Sequence, residues 1–408
     1  MGSALLTSGD RVGAARLTAV DALRGAVMVI MALDHVRDFF HRAALASASP
    51  TDLSTTTPLL FMTRWVTHFC APIFMFTAGL GAYLWWTRGE GRTRSQLSMF
   101  LLTRGLLLLV LELTVMRVAY NFDLSFRDPV LLLVLWVLGA GMVVMAALVW
   151  LPIPWLAGSS VALIALHNLL DGISASQLGS WAPVWNLLHE TGAFPFAGLL
   201  VIVGYPLVPW VAVMACGFAS GRLLSLAPEA RRQRLLWIGS ILTVGFVVVR
   251  ALNVYGDPLP WTGQRSEVYS VLSFLNTTKY PPSLAFLLMT LGPAFVALAW
   301  LTRRQPGPAN PLVVLGRAPL FFFVLHFCAA HLLALLFAAI RYGADVWRFA
   351  FHPLPSMGGP AHLFPPGFGY DLWVVYAVWA MVVVGLYPAC RWFATIKEAR
   401  RSSWLTYL

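Results

Sequence analysis

Charge is what this sequence has least of. Only 11% of its 408 residues are Asp, Glu, Lys or Arg, against 59% apolar, and the mean hydropathy is +0.74. Soluble domains carry roughly 25% charged residues, so an ordinary soluble fold is excluded. Short alternating apolar segments, the mark of a membrane β-barrel, are missing too; the apolar stretches are long and continuous. Cysteine is scarce: Cys70, Cys216, Cys328 and Cys390 all sit inside apolar runs. There cysteine behaves as a small core residue, and no disulfide framework is expected. Outside the first apolar helix no tight spacing of His, Cys and carboxylate occurs, so no metal is expected. The residues before Leu17 hold no apolar core, so no cleaved signal peptide is expected. Leu6 stands where a myristoylation pattern needs Ser or Thr. The two halves do not echo each other, which argues against an inverted-repeat transporter.

What remains is a chain of apolar runs near the length of about 20 residues that crosses a bilayer. Ten spans are expected, roughly 22–40, 60–84, 96–118, 129–151, 153–171, 194–221, 235–254, 283–302, 311–338 and 370–394. The fold class is an all-α polytopic membrane bundle. Its domains are a short segment 1–16, one transmembrane domain 17–396 and a tail 397–408. With an even count, both termini share a face. Of the 28 Lys and Arg, 18 fall to that face and 10 to the other; the 17 acids divide 5 and 12. The faces then carry +13 and −2, and the positive one is cytoplasmic. The net charge of +11 thus reads as topology, with no nucleic acid implied, and both termini are placed inside. All nine histidines fall in the outer half or beyond it: His35, His41, His68, His167, His189, His326, His331, His352 and His362.

The first apolar helix ends in "MALDHVRDFFHR" (31–42), which holds six titratable groups. A charge at the bilayer centre costs on the order of 2.5–3.5 kcal/mol, so these side chains either have left the lipid or line something polar. Residues three and four apart share a helix face. Asp34, Arg37, Asp38 and His41 form one stripe, and His35, Asp38 and Arg42 the next. The plain reading is an interface anchor, with Arg37 and Arg42 reaching the headgroups. It suits His41 and Arg42. Asp34 and His35 lie deepest and need partners, which favours a working site. A carboxylate on one imidazole nitrogen, from Asp34 or Asp38, would orient the ring as a base. His68 lies at matching depth in the antiparallel second span, with Arg64 one turn away on its face. His326 is a candidate for the same cavity; His331, five residues on, does not share its face. His167, Asn168 and Asp171 either cap a pocket or simply end a helix. Lys279 and Tyr280 begin the eighth span and bind an acceptor or anchor the interface. Asp21 and Arg24 read as a local ion pair.

"RLTAVDALRGAVMVIMALDH" (16–35) and "THFCAPIFMFTAGLGAYL" (67–84) resemble the heparan-alpha-glucosaminide N-acetyltransferase-like transmembrane acyltransferases. The likeness rests on an Arg…Asp-x-x-Arg-Gly first helix and a Pro-x-Phe-x-Phe-x-x-Gly core at Pro72, Phe74, Phe76 and Gly79. "TKYPPSLAFLLMTLGP" (278–293) and "LGRAPLFFFVLHF" (315–327) are similar to the bacterial branch. The resemblance implies a polytopic enzyme that takes acetyl groups from cytosolic acetyl-CoA to an amine or hydroxyl of a sugar-like or glycan acceptor at the far face. Two departures stand out. The stretch 43–57 has no histidine where the sugar-acetylating eukaryotic members have theirs, and His35 stands where those members have asparagine.

If the resemblance holds, the phosphates of CoA need a basic cytosolic mouth, for which Arg92, Arg94, Arg104 and Arg317 are the candidates. The catalytic set is then His35, Asp34, His68 and Asp38, and the acceptor-binding set His326, Lys279, Tyr280 and Arg64. Membrane lipids surround the chain, a homo-oligomer is compatible with it, and the inner (plasma) membrane is the expected location. The rivals are a proton-coupled transporter, whose Asp and His would form a relay, and a non-catalytic membrane binding protein.

Overall fold

The computed structural model describes residues 8–46, 48–89, 91–122, 129–355 and 359–399. The ends of the two expected terminal segments, 1–7 and 400–408, lie outside the described residues. Helix α1 spans Ser8–Phe40 and so begins well before the apolar run. It is followed by α2 (Pro58–Thr67) and α3 (Cys70–Arg88), then α4 (Arg94–Leu111), whose path continues through a π-turn at Glu112–Met116. Strand β1 (Val130–Leu132) leads into α5 (Val134–Leu148) and α6 (Ile153–Leu166). Strands β2 (Gly192–Phe196) and β3 (Leu199–Val203) precede α7 (Leu207–Ser220), α8 (Pro228–Leu252) and α9 (Leu284–Arg304). The last helices are α10 (Pro311–Arg317), α11 (Pro319–Tyr342) and α12 (Leu372–Ala399).

Among the described residues, eight helical stretches are long and apolar enough to cross a membrane. The charged α1, at 33 residues, and the apolar α5, at 15, stand at the other two expected positions. Two expected spans are corrected at their starts. Residues 130–132 and 192–203 are strands of a small sheet ordered β1-β3-β2, with Val130 opposite Val201 in parallel and Phe194 opposite Val201 in antiparallel. "GLLVIVG" is as apolar as a helix, but its β-branched residues and flanking glycines suit a strand, and hydropathy alone cannot separate the two.

Local signals set the other boundaries. Thr57 caps α2 by accepting from Leu60 N, ahead of Pro58; Thr93 and Gln96 make a capping box on α4. The second span breaks at His68, because Pro72 has no N–H to give the His68 carbonyl and its ring crowds it. The ninth breaks at Arg317–Ala318, ahead of Pro319.

Small residues let the helices touch backbone to backbone, as membrane helices do. A Cβ on Gly79 would lie 1.8 Å from the Met214 carbonyl oxygen, and one on Gly25 1.8 Å from that of Leu312. Gly105 meets Gly139, and Gly239 meets Gly292, in the same way. The outward faces are apolar: Trp237, Ile241, Val244 and Val248 form an exposed stripe along α8, the surface a bilayer covers. Helix α1 packs against α2, α3, α9, α10, α11 and α12. Its charged end is therefore enclosed by protein and does not meet lipid.

Candidate active site

Two cavities open along α1. The first, about 720 Å³, is lined by Asp34, His35, Arg37 and Asp38 of α1, Arg64 and His68 near the α2–α3 break, and Lys279 and Tyr280 from the turn before α9. We call it the histidine cavity. The second, about 260 Å³, is lined by Arg24, Arg104, Arg317 and Lys397. We call it the basic cavity. Met31, Phe74, Val134 and Phe323 line both, so the two cavities meet at one apolar partition.

The carboxylates of the histidine cavity are held by arginines. Arg37 lies 3.0 Å from Asp34 and 2.6 Å from Asp38. Arg64 pairs with Asp34 and reaches the Tyr280 hydroxyl at 3.5 Å. The carboxylate-on-imidazole pairing expected for His35 is not what the fold builds. Instead His35 Nδ1 lies 2.6 Å from His326 Nε2, and the two rings stack at 4.9 Å. His326 Nδ1 lies 2.9 Å from the Phe322 carbonyl oxygen.

That chain assigns the tautomers. A carbonyl only accepts, so His326 Nδ1 carries hydrogen and its Nε2 accepts. His35 Nδ1–H is then the donor, and His35 Nε2 keeps its lone pair. Phe327 covers one face of the His35 ring, with centroids 4.1 Å apart. His68 packs on Phe286 at 5.4 Å.

The expected site residues divide clearly. His35, Asp34, Asp38, His68, Arg64, Lys279 and Tyr280 come together around one cavity. His326 is fully buried behind His35 and absent from the lining, so it touches His35 and does not face the cavity. Arg104 and Arg317 line the basic cavity. Arg317 is also paired with Glu398 and lies 3.8 Å from Asp21. Arg92 and Arg94 are elsewhere. Arg92 stacks over Trp85 and donates to its carbonyl; Arg94 donates to the Trp150 carbonyl at 2.8 Å, closing the end of α5. Asp21 and Arg24 do pair, at 3.3 Å, and Arg42 meets Asp371 on an exposed edge. His331 is bonded to the Ala119 carbonyl. His167 Nε2 bonds the Pro282 carbonyl, and Asn168 Oδ1 accepts from Leu284 N. Together they fix the turn that carries Lys279 and Tyr280.

Three contributors went unseen in the sequence. Arg37 has the look of a headgroup anchor, yet its side chain is 5% exposed between two carboxylates; its i,i+3 spacing to Asp34 was the available signal. Lys397 looks like part of a tail but lines the basic cavity. Tyr205 precedes α7 and lines the histidine cavity, with its hydroxyl 3.4 Å from that of Tyr280. No local pattern announces either.

Tyr280 lies outside the membrane-crossing helices. Burial raises its phenol pKa, but the Lys279 ammonium and the Arg64 guanidinium outweigh that and bring it down to about 8. Among the described residues no three His, Cys, Asp or Glu side chains converge as a metal site would require.

No curated protein matches the chain. The model of the heparan-alpha-glucosaminide N-acetyltransferase catalytic family matches residues 16–263. That segment includes both cavity-lining stretches of α1 and the His68 break, while Lys279, Arg317, His326 and Lys397 lie beyond it. With more than half of its length matched, this multi-pass membrane chain belongs to the heparan-alpha-glucosaminide N-acetyltransferase catalytic family.

Proposed function

We propose that this protein is a membrane-embedded acyltransferase, moving an acetyl group from acetyl-CoA to an amine or hydroxyl of a sugar-like acceptor. The observation that carries this reading is the shared apolar partition: cations gather on one side of it and an oriented imidazole on the other. The charge asymmetry supports a basic cavity at the cytoplasmic face, where the CoA phosphates must stay, of a protein of the inner membrane.

The lengths agree. Arg24 and His35 are eleven residues apart on α1, about 16 Å at roughly 1.5 Å per residue. An extended pantetheine arm spans on the order of 20 Å from bond geometry. With the nucleotide held near Arg104, Arg317 and Lys397, the arm passes between Met31, Phe74 and Phe323 in this reading and brings the thioester to His35.

There the acceptor nitrogen or oxygen attacks the thioester carbonyl while His35 Nε2 takes its proton. The new N–C or O–C bond forms, the C–S bond breaks, and the proton on His35 passes to the departing CoA sulfur. Asp34, Arg37 and Arg64 form a fixed ion network beside the reacting carbonyl. His68 faces the same space as a hydrogen-bond donor for the oxyanion.

The test is thermal stabilisation of the purified chain by acetyl-CoA, compared with free acetate and with sugars. A donor site predicts a shift with the thioester and none with acetate. A proton-coupled transporter has no use for CoA, and equal shifts with acetate and acetyl-CoA would favour it.

A further inference from the structure

The lining of the histidine cavity is of two kinds. Its charged groups, Asp34, Arg37, Asp38, Arg64 and Lys279, come from α1, α2 and the turn before α9. The small sheet supplies something different. Side chains alternate between the two faces of a strand. Val130, Leu132, Val201 and Val203 form an apolar cluster of their own on one face. Leu131 and Ile202, partners in the β1–β3 ladder, belong to the other face, and both line the cavity together with Leu133. All three are only partly buried, so protein leaves part of each aliphatic side chain uncovered.

This aliphatic wall is held in place by hydrogen bonds. The Glu112 carboxylate accepts from Leu135 N at 2.8 Å and from Trp136 N at 3.1 Å, just past Leu133. The Trp136 indole N–H donates to the Tyr205 carbonyl at 3.2 Å, and Gly204 N donates to the Leu132 carbonyl at 3.0 Å. The wall also runs towards both ends of the reaction path. Leu131 and Tyr120 border one small gap of about 10 Å³. The Tyr120 ring meets Phe327 edge-on at 5.0 Å, and Phe327 covers His35 at 4.1 Å. At the other end Leu133 leads into Val134, which lines the basic cavity as well.

A pre-formed apolar surface inside a partly polar cavity is best covered by the apolar part of a ligand. An acetyl group carries one carbon past the thioester carbonyl, too little to cover three aliphatic side chains. Resting on the acyl-transfer reading above, we propose that the donor site also takes longer linear acyl groups, propionyl and butyryl, from CoA, and that Leu131, Leu133 and Ile202 select them by covering the alkyl end. The step is the one written for acetyl: the new N–C or O–C bond forms, the C–S bond breaks, and the acceptor's proton reaches the CoA sulfur through His35. The wall could instead cover the tail of a lipid-linked acceptor, but its continuity with Val134, on the side from which the donor arm arrives, favours the acyl chain.

The experiment uses the full chain in nanodiscs of phosphatidylcholine. Transfer to glucosamine is compared for acetyl-, propionyl- and butyryl-CoA. The kcat/KM should rise along the series, by up to about fourfold for each methylene buried. Ile202→Trp, which fills the wall, should reverse the order. Ile202→Thr keeps the branched shape but puts a hydroxyl on the wall, and should cut the butyryl-to-acetyl ratio at least about twofold; it decides the matter where the tryptophan variant does not fold. Equal or falling values along the series in the unaltered protein, or a ratio unchanged in both variants, would overturn the proposal. So would an unchanged ratio with KM raised only for a long-chain lipid-linked aminosugar, which would make an acceptor's tail the occupant. If no acyl group is transferred from any donor, the transfer reading fails separately. The wall is then read from thermal stabilisation by CoA, acetyl-CoA and butyryl-CoA: a larger shift with butyryl-CoA that is lost in Ile202→Thr sustains it, and equal shifts end it.

Discussion

Replacing His35 with alanine removes the imidazole of the histidine cavity whose proton positions are set by a second imidazole, His326. A positioned general base is worth about 10²–10⁴ in rate, or about 3–5.5 kcal/mol of barrier. His35→Ala should therefore lower kcat by at least about a hundredfold. The second half of the prediction lies in His326. It accepts the His35 Nδ1–H at 2.6 Å, and its own Nδ1–H is bonded to Phe322 O. In His326→Ala the buried Nδ1–H loses its partner, at a cost of about 1–3 kcal/mol. The ring can escape that cost by moving the hydrogen to Nε2, where it no longer serves as a base. Either route predicts a kcat loss of roughly 5- to 150-fold, with the KM for acetyl-CoA within about twofold, because neither residue lies in the basic cavity. His326→Gln, which keeps an acceptor within reach, should recover part of the loss; His326→Phe should not. The assay is transfer of labelled acetyl from acetyl-CoA in proteoliposomes, with donor binding measured in parallel. Near-native turnover in His35→Ala would refute the mechanism and move the search for a base to His68.

The basic cavity predicts that Arg104→Glu weakens acetyl-CoA binding at least about tenfold and leaves acceptor KM unchanged, while Arg94→Ala, outside the cavity, leaves donor binding within about twofold; calorimetric titration checks both. Gly79→Val should abolish folded yield, since its Cβ meets the Met214 carbonyl at 1.8 Å, whereas Gly81→Val, with nothing within 4 Å of its Cβ, should express normally by fluorescence-detected gel filtration. Tyr280, with its phenol brought to about 8 by Lys279 and Arg64 against burial, should ionise about two units below an ordinary tyrosine at about 10, as a step in 295 nm absorbance lost in Tyr280→Phe. The folded value lies below the unfolded one, so the associated stability is full above about pH 10 and is lost as pH falls through about 8. Accessibility labelling should place loops 86–95, 222–234 and 303–310 on the cytoplasmic side and 43–57, 255–282 and 342–368 on the other; an external reading at 222–234 would reverse the assignment of the two cavities.

How far the site could be read from the sequence follows from how local each signal is. "MALDHVRDFFHR" announces itself because six titratable groups in twelve residues of an apolar helix are costly unless protein encloses them, and α1 is enclosed by six other helices. The same rule located His68, where Pro72 breaks the helix. Partners were harder to read. Which group orients His35 depends on how α11 lies against α1, and α10, which leads into α11, meets α1 at the Gly25–Leu312 and Gly316–Asp21 contacts, almost three hundred residues apart in the chain. The fold therefore supplied an imidazole where a carboxylate was expected, and freed Asp34 and Asp38 to anchor Arg37 and Arg64. The arginines of the mouth show the same limit. Arg92, Arg94 and Arg104 look equivalent in "GRTRSQLSMFLLTRG", yet a tryptophan face and the carbonyls ending α5 take the first two, and only the third turns into the cavity. Composition fixes that cations must gather at this end of the bundle; the helix packing decides which one is aimed at a ligand. The division of labour explains why the partition matters most. Met31, Phe74, Val134 and Phe323 carry no chemical signature, but they stand between a cationic chamber and an imidazole chamber and line both, and the proposed donor, with a polyanionic head and a thin, nearly neutral arm, needs a passage between these four side chains.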